Sequence, residues 1–116
     1  MRRAVLIIFL LAAPTLVEAG ANRLQWQDNS ANEANFHIER KTAACGGSEA
    51  FAEIAAVGAN VTTFLDTAVQ EGVTYCYRVA ASNPAGTSAW SNEADRTVPF
   101  VVPAPPSSLS VTEGSS

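Results

Sequence analysis

The sequence predicts an all-β fold of the sandwich type, and three observations carry that reading. Beyond residue 19 no apolar residues recur at helical spacing, short stretches alternate apolar with polar residues, and each stretch closes on Gly, Asn, Asp, Ser or Pro. Alternation with a period of two marks strands with one buried face, and strands at regular spacing, each followed by a turn, mark a sandwich. An α/β arrangement would have no helices to draw on.

The first element is a leader rather than part of the fold. Arg2 and Arg3 precede an almost wholly apolar run over residues 4–13, and Val17-Glu18-Ala19 offers small residues where a signal peptidase cuts. This reads as a secretory signal over residues 1–19, with cleavage after Ala19. The run is well short of the ~20 apolar residues that span a bilayer. The arginine pair also suggests the twin-arginine route, which the following residues fit poorly. No cysteine stands at the cleavage site to take a lipid. The expected product is secreted and extracellular, or periplasmic in a bacterium, with no membrane span after cleavage.

Cleavage leaves five basic and ten acidic residues, a net charge of about −5. An acidic surface with scattered cations is unsuited to nucleic acid or anionic lipid. The remaining length makes one domain with one modest core.

Leu24 and Trp26 alternate with Arg23, Gln25 and Gln27 until Asp28-Asn29-Ser30 breaks the first strand. Phe36, Ile38 and Arg40 then alternate with His37, Glu39 and Lys41, and Gly46-Gly47-Ser48 turns the chain. Runs over residues 51–57 and 61–65 are parted by Gly58-Ala59-Asn60. The longest strand covers residues 74–81, with Tyr75, Tyr77, Val79 and Ala81 facing one way and Cys76, Arg78 and Ala80 the other. Asn83-Pro84-Ala85-Gly86 is a turn at every position. Residues 89–97 form the last strand.

Cys45 and Cys76 are an even pair in an exported chain, which favours a disulfide. Zinc is the weaker reading, because His37 alone cannot complete its shell.

Leu24 with Trp26 resembles the second-strand core pair of a fibronectin type III domain. The stretch Gly72-Val73-Thr74-Tyr75-Cys76-Tyr77-Arg78-Val79, with Asn83 and Gly86 behind it, resembles that family's sixth strand and following turn. Ser88-Ala89-Trp90-Ser91-Asn92 resembles the start of its seventh. The match covers residues 24–97, nearest in character to bacterial secreted modules. It implies an immunoglobulin-like sandwich over residues 20–97 in which Trp26, Tyr75, Tyr77 and Val79 are structural. Tyr75 would be the tyrosine corner, its phenol closing onto backbone before it. The third and sixth strands would be antiparallel neighbours, bringing Cys45 beside Cys76. That bridge would close 30 intervening residues, worth ~3–4 kcal/mol in the chain-entropy model. By parity Cys76 lies on the outer face, outside the core.

Catalysis needs a nucleophile with a base, paired carboxylates or a metal shell. His37 is the only histidine and is expected on the outer face beside Glu39; the acidic residues fall in separate loops. No enzyme, cofactor or metal is expected. Asn60-Val61-Thr62 is a glycosylation sequon, meaningful only in a eukaryote. Thr87-Ser88-Ala89-Trp90-Ser91 resembles half of the Trp-Ser repeat of cytokine receptors of this fold, which implies an outer-face stack of Trp90 on Arg78. Trp90, Arg78 and His37 are also the candidate ligand surface.

The resemblance also implies an incomplete module. A full one opens with a proline-led strand of about ten residues, whereas only Gly20-Ala21-Asn22-Arg23 separate the cleavage site from Leu24. The strand carrying Leu24 would then be a bare edge, open to pairing. Residues 98–106 read as a proline-stiffened linker. Residues 107–116 read either as the start of a second module or as a donor strand exchanged head to tail between chains. The expected function is a secreted binding, adhesion or spacer module with extracellular protein or carbohydrate partners. The alternative is an accessory module of a larger exported enzyme such as a polysaccharide hydrolase.

Overall fold

A computed structural model describes residues 20–114, so the expected leader lies outside the described residues. None of the described residues is helical, and seven strands build two sheets packed face to face. The strands are β1 (Asn22–Gln25), β2 (Asn35–Lys41), β3 (Ala52–Gly58), β4 (Thr63–Asp66), β5 (Thr74–Asn83), β6 (Gly86–Thr87) and β7 (Ala94–Thr97). The all-β sandwich read from the sequence is the observed architecture.

The larger sheet runs β3-β2-β5, with β6 and β7 on successive stretches of the remaining edge of β5. The smaller sheet is β1 with β4 alone, antiparallel, Leu24 opposite Phe64. Alternation decides what each strand buries. Phe36 and Ile38 of β2 and Tyr75, Tyr77 and Val79 of β5 form the buried cluster. Leu24, Trp26 and Phe64 close over it from the smaller sheet. The Trp26 and Phe36 rings meet at 5.7 Å, tilted by 58°, a favourable edge-inclined geometry.

Two expected boundaries move. The strand expected over residues 89–97 is interrupted, and only β7 remains of it as regular ladder. Ser88 and Ser91 account for the break. Each backbone N–H donates to β5, at Ala81 O and Val79 O, while each hydroxyl accepts the N–H of the same β5 residue. A serine side chain thus replaces a carbonyl in the ladder and lets the chain bow outward. Val98, read as the first linker residue, is fully buried in the core and exchanges backbone bonds with Val73 and Gly72. Gly72 has φ +80 and lies under the Phe100 ring, where any Cβ would collide, so glycine is required there.

Candidate binding groove

Among the described residues no strand accompanies β1 on the side away from β4. Trp26 N–H donates to Thr62 O, so the even-numbered residues direct their backbone groups to β4. Alternation then turns the N–H and C=O of Arg23 and Gln25 to the open side. Across that side lies β7, all four of its residues exposed. Between the two strands runs a groove of about 550 Å³, walled by Leu24, Trp26 and Arg96 and floored by Tyr77 and Val79. Leu24 and Trp26 are only half-buried although they point inward. The indole N–H of Trp26 is buried and has no acceptor among the described residues.

One end of the groove is set by polar groups that join the sheets. Tyr77 of β5 donates its hydroxyl to Asp66 Oδ2 of β4 at 2.7 Å and accepts from Asn22 Nδ2 of β1 at 2.9 Å. Arg40 Nη1 of β2 donates to the same Asp66 oxygen at 2.8 Å, and Arg96 Nη1 of β7 donates to Asn22 Oδ1 at 2.6 Å. Asn22 and Asp66 are buried, so these bonds are the ones that satisfy them. Burial pushes the Tyr77 phenol well above its ordinary range, and its bond to Asp66 adds to that. Sequence reasoning placed Tyr77 in the core but missed this cluster. Arg40, inward by parity with Phe36 and Ile38, was the one signal of it.

The outer face of the larger sheet holds the other predicted residues. The Arg78 guanidinium lies 4.2 Å from the Trp90 ring and 4.1 Å from the Phe51 ring, between the two. It also donates twice to Glu39, which stands opposite it in register. The stack of Trp90 on Arg78 is therefore present, with Phe51 as an unforeseen third layer. Trp90 keeps 38% of its surface exposed, one ring face being covered by Arg78. His37 does lie outward but not paired with Glu39. Its Nδ1 meets Glu53 at 3.1 Å and its Nε2 meets Ser82 at 2.7 Å, because Arg78 already holds Glu39. The structure thus brings Trp90 and Arg78 together and engages His37 separately.

Cys45 and Cys76 are joined, their Cα atoms 5.2 Å apart. Cys76 points outward as parity requires, yet it is fully buried, because the bridge carries the 45–49 loop over it. Lys41 holds that loop down, donating to Gly47 O and Glu49. Glu93 approaches both sulfurs, but bonded sulfurs offer no thiolate to a metal. The Tyr75 hydroxyl accepts the Gln70 N–H at 3.0 Å, the closure implied for a tyrosine corner.

No protein-family model matches the sequence, and no curated protein sequence matches it. Solved structures resemble the fold. The twitchin kinase region of C. elegans, a chain with Fn3 and Ig domains, matches at TM-score 0.58 and 23% identity over 70% of this chain and 14% of its own. Pectate lyase PelI of Erwinia chrysanthemi matches at TM-score 0.59 and 22% identity over 74% of this chain. A pectate lyase of Pectobacterium carotovorum matches at TM-score 0.60 and 23% identity over 78%. This chain spans 26% of the length of each lyase.

Proposed function

We propose that the chain is a fibronectin type III-like, non-enzymatic binding module of an exported protein, and that it takes an extended polypeptide by strand addition along β1. The observation behind this reading is the groove between β1 and β7, which pairs a free backbone edge with an apolar floor. A bare edge supplies main-chain bonds and alternate pockets supply selectivity, the two ingredients of peptide capture by a sheet. The polar side chains elsewhere are engaged in structural pairs, and this favours a binding role over chemistry. The alternative, an accessory module of a larger exported enzyme acting on polysaccharide, draws support from the chain's likeness to a quarter of each pectate lyase. There the groove would receive a neighbouring segment of the same enzyme.

The test is a displayed library of ten-residue peptides screened on the exported product, with Gln25→Pro as the comparison. Proline at this edge position removes only the outward N–H and leaves the β1–β4 ladder intact. Selected peptides should bind at least about tenfold more weakly to the variant. Peptides that bind both proteins equally would overturn the reading.

A further inference from the structure

The groove is matched by a segment of this same chain. We infer that residues 107–113 of one molecule occupy the β1 groove of the next, in antiparallel register, so that the modules join head to tail. The inference rests on the strand-addition reading above and names its occupant.

The tail offers what the groove needs. Leu109 and Val111 are the apolar members of an alternating run and lie 90% and 88% exposed. β1 and its continuation through Gln27 line the groove with six residues, Asn22 to Gln27, and the tail run is equally long. In an antiparallel pair, directly opposed residues point to the same face. Leu24 and Trp26 point inward, so Leu109 and Val111 must stand opposite them. The running order of the strands then fixes Leu109 against Trp26, Val111 against Leu24, and Glu113 against Asn22. Glu113 thereby comes beside Arg96, which already donates to Asn22. Thr112 and Ser110 would exchange backbone bonds with Arg23 and Gln25, whose groups face the groove. Ser108, at φ 59 in the free tail, would become extended.

A molecule cannot fill its own groove in this register. Its chain leaves β7 at the Asn22 end, where Arg96 bonds Ala21 O, whereas an antiparallel donor must enter at the Gln27 end. Phe100 is seated over Gly72, so only residues 101–106 are free to travel back. The seven steps from Phe100 to Ser107 span at most ~23–25 Å, of which the edge itself takes about 20 Å, too little to add the lateral crossing. A second copy meets no such limit. A head-to-tail contact of this kind is heterologous, so copies add one after another, as an open filament or, where the rotation between them closes, as a ring.

The full chain, exported and purified unreduced, carries Gln25→Cys with Ser110→Cys, two outward positions that the register sets opposite each other. Non-reducing electrophoresis should show a ladder beyond dimer, whereas either single cysteine variant stops at dimer. Leu109→Asp with Val111→Asp, added to the pair, should abolish the ladder. In the cysteine-unaltered protein the same two aspartates should weaken self-association at least about tenfold by sedimentation equilibrium. A cross-link confined to single chains, a ladder indifferent to the aspartates, or a wild-type protein monomeric at all concentrations would overturn the inference. If library peptides still bind in a manner sensitive to Gln25→Pro, the groove reading stands while its occupant is wrong; if they do not, both fall.

Discussion

Tyr77→Phe deletes one oxygen from the polar cluster that ties the two sheets, and its cost follows from what that oxygen does. The hydroxyl donates to the Asp66 carboxylate at 2.7 Å and accepts from Asn22 at 2.9 Å. A bond to a charged group is worth about 1.5–3 kcal/mol, and a buried donor left without an acceptor costs about 1–3 kcal/mol. Asp66 keeps Arg40 and the Ala68 N–H, and Asn22 keeps Arg96, so the loss is not compounded further. The expected destabilisation is therefore about 3–4 kcal/mol. Tyr75→Phe is the internal control, since it loses only the bond from the Gln70 N–H, about 1 kcal/mol. Urea unfolding of both variants at neutral pH, with the disulfide intact, measures the difference. In a domain this small, 1 kcal/mol moves Tm by roughly 4–8 °C, so the two variants should melt at least ~8 °C apart. Equal losses for the two phenylalanines would refute the idea that the Tyr77 cluster couples the sheets.

Two further outcomes are expected. Replacing Cys45 and Cys76 together by alanine should lower stability by ~3–4 kcal/mol, and dithiothreitol should then change the urea midpoint of the parent but not of the variant. Glu33 accepts from Ser30 at 2.6 Å and from the Asn60 N–H at 3.2 Å, and with the Ser30 bond foremost its carboxyl is held at about 2 instead of 4.5. A depressed folded value means that this stabilisation is present above pH 4.5 and is lost as pH falls toward 2. Glu33→Gln should thus flatten the acid limb of a Tm-against-pH curve in that window. A variant that parallels the parent throughout would contradict the assignment. Glu49, lowered by its own backbone N–H and by Lys41, contributes in the same direction to both curves and cancels in the comparison.

What the sequence disclosed was whatever depends on neighbours along the chain. Alternation in residues 36–41 and 74–81 sorts inward from outward side chains because the strand period is two, and both assignments match the structure. Tyr75 reaches only five residues back and so leaves a local mark, whereas the hydroxyls of Ser88 and Ser91 find their acceptor role only against β5, and the strand expected over residues 89–97 hid the break they make. The polar cluster leaves almost none. Arg96 and Asn22 are 74 positions apart, and each reads alone as a solvated surface group. Only folding shows that the two sheets close over them. The groove is equally hidden, because its walls depend on β7, whose exposure no local pattern signals. The same holds for Phe51, which joins Arg78 only because β3 and β5 flank β2.

The disulfide has a mechanical consequence as well as a thermodynamic one. Strung head to tail, each module would transmit tension from β1 to the tail beyond β7. The Cys45–Cys76 link spans 31 positions, and β3 and β4 lie inside that span. A pull on the ends therefore cannot straighten this stretch, which shortens the maximum extension of an unravelled module by ~100 Å. Force can lengthen only the segments on either side of the bridge. A strained chain would yield in short steps and keep a closed loop from which to refold.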